Sequence, residues 1–350
     1  MIIIDGVIFS IQKSGGISVY FDELIKKAHL KEHRTHILIY DNDNPYVKNF
    51  PVNSKIRFNI NIERFLDAEV ELSSSVGAVF HSSYYRLPKN KVRAQNKLKI
   101  ITTVHDFTEE IFPRGLKSII HHWQKKRAIL GSDGIICISE CTKNDLLKFI
   151  PEAAHIPIKV IYNGVGDFNP DPTKDRTEKY VLFVGARNGY KNFSACVLSL
   201  KKHPDINLVV VGGGAFLKDE CDLLDENIPG RYRHAGYVTE SDLNILYTGS
   251  YCLIYPSYYE GFGIPVIEAM KSGCPVIGCN SSSVREIATG AAILIDDITS
   301  DKISDALVAL NDKNFRSSLI EKGLENSKKY SWSKMAEETF NFYDEIRDKK

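Results

Sequence analysis

The feature that most constrains this chain is an alternation that runs through most of its 350 residues. Short apolar runs take turns with helix-like stretches, the pattern of parallel sheets covered by helices on both faces. In the first half, strands are predicted at Met1–Phe9, His36–Tyr40, Val76–His81, Lys99–Val104, Gly134–Ile138 and Lys159–Ile161. Helices are predicted between them at Val19–Leu30, Lys117–Gly131 and Thr142–Phe149. The polar segment Asn163–Lys179, with Pro170 and Pro172, reads as an interdomain linker. A second series then begins, with strands at Tyr180–Val184, Asn207–Val211, Tyr232–Ala235, Tyr251–Tyr255, Val276–Cys279 and Ala292–Ile295. Its helices fall at Phe193–Lys202, Glu240–Thr248, Val266–Ser272, Ser283–Ile287, Asp301–Leu310 and Asp312–Lys328. The pattern implies two α/β domains, 1–165 and 166–330, each a doubly wound Rossmann-like sheet. The tail 331–350 forms a further helix, with Trp332, Met335, Ala336, Phe340 and Tyr343 at helical spacing, expected to cross back to the first domain. Ligands of such sheets bind at the carboxyl ends of the strands, so a cleft between facing domains is the expected site.

Several classes of function are disfavoured by composition. No apolar run approaches the roughly 20 residues of a membrane span, and the amino terminus lacks the basic and small-residue features of a signal peptide. Seven cysteines are scattered without paired spacing, and nothing near Cys137 and Cys141 completes a metal ligand set. The chain is therefore expected to be cytoplasmic, with reduced thiols and no metal or other cofactor. Net charge is only +1, but residues 1–165 carry 23 Lys and Arg against 17 Asp and Glu, a balance of +6. A nucleic-acid partner is not expected, because no basic and aromatic recognition module accompanies that charge.

The most informative stretch is Ser257-Tyr-Tyr-Glu-Gly-Phe-Gly-Ile-Pro-Val-Ile-Glu-Ala-Met-Lys-Ser-Gly273. Glu260 ends a loop after an apolar strand, and Gly261 and Gly263, flanking Phe262, allow close backbone approach to a ligand. Ile264-Pro265 then opens a helix whose amino terminus offers N–H groups and positive partial charge to a diphosphate. Glu268, about one turn in, can accept hydrogen bonds from vicinal hydroxyls. The bland alternative is a glycine turn with an acidic residue serving the helix dipole. Arg187 and Lys191, on a glycine-containing loop after a strand, are either solvated surface cations or partners for a leaving diphosphate.

This stretch resembles the Glu-x7-Glu signature of the family 4 glycosyltransferases, which have the two-Rossmann GT-B fold and retain the anomeric configuration. The resemblance extends over Gly15-Gly16-Ile17, His105-Asp106, Ile138-Ser139-Glu140, Val160–Val165, Gly185–Asn192, Pro256-Ser257 and Ser331-Trp332. It implies that Glu260 contacts donor-sugar hydroxyls, that Gly261–Gly263 pack against the sugar, and that Glu268 holds the ribose. It also implies that Arg187 and Lys191 meet the diphosphate, with Gly15 and Gly16 opposite it, and that His105 touches the sugar. Val238 is expected to offer backbone groups to the base, and Glu240 is placed either as a carboxylate partner for guanine or as an acid stabilising the start of a helix. On the acceptor side, His81, Tyr84, Tyr85 and Asp106 are the candidates.

The implied activity is transfer of a hexosyl group, mannose or a GDP-linked deoxysugar first, to a glycan or a polyprenyl-diphosphate-linked acceptor in surface-polysaccharide assembly. A UDP-sugar enzyme of the same family is the alternative, ahead of a nucleotide-sugar epimerase or a non-catalytic sugar-binding module. Basic stretches at Arg86–Lys99 and Lys117–Arg127, the latter carrying Ile119, Ile120 and Trp123, fit either a peripheral membrane contact or a solvated face with a buried Trp stripe.

Overall fold

A computed structural model describes residues 1–12, 15–50, 55–56, 63–70, 77–90, 93, 97–171, 179–187 and 189–349. Residue 76 of one expected strand, residues 172–178 of the expected linker and residues 91–92 and 94–96 of the first basic stretch lie outside the described residues. The chain divides into two compact units, Met1–Gly164 together with Trp332–Lys350, and Val165–Ser331.

The first unit is built on a parallel sheet of β1 (Ile2–Asp5), β2 (Thr35–Tyr40), β3 (Lys55–Ile56), β4 (Val79–Ser82), β5 (Lys99–Val104), β6 (Gly134–Cys137) and β7 (Ile158–Val160). The strands lie in the order β3-β2-β1-β4-β5-β6-β7. Strands β1, β4 and β6 are buried along their whole length, because helices cover both faces of a parallel sheet. That is why they read as continuous apolar runs. The predicted first strand was too long. It stops at Asp5, and Ile8–Ile11 form a helical turn after Gly6.

Residues of the terminal helix, Trp332–Asp348, belong to this unit. It buries Trp332, Met335, Ala336, Phe340, Tyr343 and Ile346, packing on the helix Gly16–Leu30 and on β5. A Cβ at Gly134 would stand 2.9 Å from both Ile101 Cδ1 and Ile346 Cγ1, so glycine permits the close approach of this helix. His81, expected to line the acceptor side, is instead a core residue. Its Nδ1 pairs with the Tyr343 hydroxyl at 2.5 Å and its Nε2 with Thr103 Oγ1 at 2.8 Å. Burial lowers its pKa to about 3, so both ring nitrogens serve the fold as a neutral imidazole.

The second unit carries β8 (Tyr180–Val184), β9 (Asn207–Val211), β10 (Tyr232–His234), β11 (Cys252–Tyr255), β12 (Val276–Cys279) and β13 (Ile293–Ile295). These are all parallel, in the order β10-β9-β8-β11-β12-β13. Its core joins Val181, Phe183, Leu208, Val210, Ile254 and Ile277 from the strands to Val197, Ile303 and Leu307 from the helices. The strand order reverses at β8, whose neighbours are β9 and β11. The loops after β8 and β11 therefore diverge to opposite faces and leave a crevice at their carboxyl ends.

Candidate functional site

The loops at this reversal carry the Glu-x7-Glu stretch. After β8, Gly185 (φ +121°) turns the chain toward a short 3-10 segment, Gly189–Lys191. After β11, the loop 256–263 ends at Gly263, which takes φ +102° and begins the helix Ile264–Lys271. Pro265 lies in the first turn of that helix, where a missing N–H costs nothing. Among the described residues no side chain is seen to cap this amino terminus, and no acid occupies its first turn, so the helix itself supplies nothing to offset the positive end of its dipole.

Lys191 Nζ and Glu260 Oε1 meet at 2.5 Å, bringing the two loops together, with each side chain 13% exposed. The Glu260 loop is braced from behind by residues that the sequence reading overlooked. Ser282 Oγ accepts the Glu260 N–H at 3.0 Å, and Ser283 Oγ donates to the carbonyls of Glu260 and Phe262, both at 2.8 Å. Ser281 Oγ donates to the Tyr258 carbonyl at 2.8 Å. The run Ser281-Ser-Ser283 before a short apolar helix was the available signal, since Ser favours helix amino termini. Gly263 cannot readily be replaced, because its φ is left-handed and an added Cβ would stand 3.3 Å from Ile287 Cδ1.

Glu268 lies partly buried in the same helix and accepts a hydrogen bond from the Tyr247 hydroxyl at 2.9 Å. Burial raises its pKa to about 7, with Glu240 adding to the rise and the Tyr247 bond opposing it. A carboxyl shifted toward neutrality by burial, on a helix that starts at the strand reversal, marks a candidate functional group with a physical cause.

Arg187 departs from expectation. Its side chain is 2% exposed, and the guanidinium donates to the carbonyls of Gly212 at 3.0 Å, Gly214 at 3.1 Å and Ala215 at 2.9 Å, and to Glu220 at 2.9 Å. Gly212, Gly213 and Gly214 all have positive φ, so this turn directs several carbonyls to one side. Arg187 is the clasp that satisfies them, committed within its own domain, and Lys191 is left as the cation at the Glu260 loop. Glu240 departs too. Its Oε1 accepts the Asp167 N–H at 2.9 Å, and a Cβ on Gly166 would stand 1.7 Å from that oxygen. The carboxylate thus fixes the chain at the entry to this unit rather than facing a base. Val238 sits half-buried just before Thr239, whose side chain caps the helix Glu240–Gly249.

In the first unit, Gly15 precedes the helix Gly16–Leu30, whose amino terminus also has no side-chain cap among the described residues and no acid in its first turn. His105, just past β5, is buried with its ring edge-on to Tyr20 at 5.3 Å. Burial lowers its pKa to about 4, and its Nε2 has no hydrogen-bond partner among the described residues. A buried, neutral, unpartnered ring nitrogen at a strand's carboxyl end is what a ligand contact requires before the ligand arrives. Asp106 Oδ1 accepts the Thr108 N–H at 2.9 Å. Its carboxyl stays below the usual range because Lys125 and that bond outweigh burial. Tyr84 and Tyr85 place their rings 5.9 and 5.6 Å from His121, and Tyr85 has φ +49°, a strained conformation for a bulky residue. Lys125, wholly buried against Glu110 at 2.8 Å and the Asp106 carbonyl at 2.9 Å, holds this group together and was not foreseen.

The second of the two doubly wound units thus places an acid–lysine pair and the start of a helix at its strand reversal, the position where ligands of such sheets bind. Residues 14–167 match the family described as Glycosyltransferase Family 4, and residues 167–326 match Glycosyl transferases group 1. An uncharacterized glycosyltransferase of Methanocaldococcus jannaschii is 28% identical over 355 residues, covering 95% of each chain. The O-antigen chain mannosyltransferase B of Escherichia coli is 25% identical over 286 residues, covering 76% of this chain and 74% of that one. Among solved structures, sucrose-phosphate synthase from Thermosynechococcus elongatus superposes with a TM-score of 0.77 at 18% identity, covering 99% of this chain and 98% of that one. The chain belongs to the family 4 glycosyltransferases and has their GT-B fold of two Rossmann-like domains.

Proposed function

We propose that this enzyme transfers a hexosyl group, with retention at the anomeric carbon, from a nucleotide-diphosphate donor to a glycan or polyprenyl-diphosphate-linked acceptor. The Lys191–Glu260 pair beside the uncapped start of the helix Ile264–Lys271 carries this reading. A donor diphosphate seated there draws Lys191 toward its oxygens and leaves the Glu260 carboxylate to accept hydrogen bonds from the sugar. Glu268 then takes the ribose hydroxyls. As the bond from the anomeric carbon to the phosphate oxygen breaks, Lys191 and the helix dipole neutralise the departing charge. The acceptor oxygen bonds to the same face of the sugar, and the leaving phosphate takes the acceptor's proton. His105, neutral and unpartnered at Nε2, contacts a sugar hydroxyl. We propose that these groups suffice without a metal ion or other cofactor, so activity survives a chelator.

Mannose from GDP-mannose, or a GDP-linked deoxysugar, is the first donor proposed. The support is the E. coli relative above and the O-antigen chain mannosyltransferase RfbU of Salmonella typhimurium, 29% identical over 198 residues. A UDP-sugar is the second reading. Incubation of the full chain with a panel of GDP- and UDP-sugars and lipid-linked or free saccharide acceptors, with NMR of the product anomer, tests the whole proposal. An α-linked product from an α-linked donor is expected. An inverted product overturns retention, and epimerised donor without acceptor overturns transfer.

A further inference from the structure

Glu260 is held by more than Lys191. Tyr255, the last residue of β11, is buried and donates a hydrogen bond from its hydroxyl to the Glu260 carboxylate. Burial, and after it the Glu260 charge, push the phenol's pKa well above the usual 10, so the hydroxyl keeps its proton and remains a donor. The same ring faces Lys191, whose Nζ stands 5.7 Å from its centroid and 5.2 Å from that of Tyr190. Tyr255 therefore touches both members of the pair.

The backbone end of the glutamate is held separately. Ser282 Oγ accepts the Glu260 N–H at 3.0 Å. Ser282 does this from φ +48°, a left-handed conformation that glycine adopts at low cost and serine does not. Packing alone explains neither residue. Phenylalanine at 255 would fill the same space without burying a hydroxyl, and glycine at 282 would relieve the backbone. Both polar groups instead converge on one glutamate, and a strained residue beside a candidate site points to a use for its side chain.

That use emerges when a donor binds. On the reading proposed above, Lys191 turns to the diphosphate oxygens and no longer anchors Glu260. A glutamate side chain has several rotatable bonds, and ordering it has an entropy cost. Contacts already made in the free protein, one from a buried strand end and one behind the backbone, spare the transition state that cost. We propose that Tyr255 and Ser282 are positioning residues that fix Glu260 for the transfer step, Tyr255 at its carboxylate and Ser282 at its backbone. The proposal rests on the reading of Glu260 as the group that meets the donor sugar.

The test compares the full parent chain with Tyr255→Phe and Ser282→Gly. The probes are the sugar nucleotide turned over fastest in the GDP- and UDP-sugar panel and its free nucleoside diphosphate. Both variants preserve or ease local packing, so each should melt cooperatively within about 4 °C of the parent. In each, kcat is expected to fall about tenfold, with donor KM and diphosphate affinity changed less than about twofold. In a Glu260→Ala background, neither substitution should lower kcat/KM by more than a further factor of about two, because each acts through the glutamate. A crystal structure of Tyr255→Phe should show the Glu260 carboxylate displaced from its place in the parent. A kcat within about twofold of the parent in either variant, a loss that persists in full without Glu260, diphosphate affinity that falls as far as kcat, or an undisplaced Glu260 overturns the inference. Glu260→Ala with unchanged turnover overturns the donor reading itself. Turnover lost in Glu260→Ala but retained in Tyr255→Phe leaves that reading standing and overturns only this inference.

Discussion

The pKa of Glu268 turns the proposed ribose contact into a measurable proton count. Its carboxyl titrates near 7 instead of 4.5, chiefly because it is buried. Only an ionised carboxylate can accept hydrogen bonds from two vicinal hydroxyls with both oxygens. Binding of a nucleotide sugar therefore selects the ionised form, about a tenth of the population at pH 6 and about nine tenths at pH 8. Donor affinity is expected to rise about tenfold between those values. Calorimetry in buffers of different ionisation enthalpy should show close to one proton released at pH 6 and almost none at pH 8. A nucleotide sugar is the ligand of choice because its phosphates do not titrate in this window. Glu268→Gln should flatten both profiles.

Stability gives a second reading of the same group. A carboxyl with a raised folded-state pKa stabilises the fold below pH 4.5, and that contribution is lost as pH rises through 7, amounting to at most about 3 kcal/mol. Glutamine can still accept the Tyr247 hydrogen bond, so Glu268→Gln should melt higher than the parent at pH 8 and alike at pH 5. Affinity that is flat with pH in the parent chain, or a pH profile that Glu268→Gln leaves unchanged, refutes this reasoning.

Three further outcomes follow from single contacts. Gly263→Ala forces a left-handed residue against Ile287 and should cost about 1–3 kcal/mol in urea unfolding, while weakening donor binding by shifting the helix start; an unchanged midpoint contradicts it. Arg187→Ala removes the guanidinium bonds to the Gly212, Gly214 and Ala215 carbonyls and to Glu220, acceptors that water can still reach, so a loss of about 1–2 kcal/mol is expected; a variant that loses donor affinity with no loss of stability would return Arg187 to the diphosphate. His81 and His105 stay neutral in the fold down to about pH 3 and 4, whereas the unfolded chain protonates below about 6.5. Stability present above pH 6.5 should fall on acidification by up to about 1.4 kcal/mol per pH unit for each histidine. Measured in the Glu268→Gln background, which removes the carboxyl that titrates near 7, a midpoint that rises on acidification from about pH 6.5 to about pH 5.5 contradicts this.

What the sequence made legible follows from burial. Strands such as β4, β6, β11 and β12 lie inside two helical layers, and their apolar runs announce them. The helix Lys218–Asn227 escaped because only Leu224 in it is fully buried, leaving no periodic stripe to find. The Glu260 and Lys191 loops were placed because glycine and proline positions mark the turns. The clasp role of Arg187 was hidden, since it depends on three left-handed glycines at 212–214, far along the chain. Helical spacing likewise identified the stripe through Trp123 but carried no information on which side of it faces solvent, and Ile119, Ile120 and Trp123 are exposed. That sign is set by the pairing of Lys125 with Glu110 beneath it.

The central claim is that Lys191 and Glu260 form the donor site of a glycosyltransferase. Steady-state turnover of the preferred sugar nucleotide, alongside calorimetry with its free nucleoside diphosphate, tests it most directly. Lys191→Ala should lower kcat/KM by about 100-fold or more and weaken diphosphate binding. Glu260→Ala should lower kcat/KM to a similar extent while leaving diphosphate affinity nearly intact. Turnover unchanged in both variants would contradict the assignment.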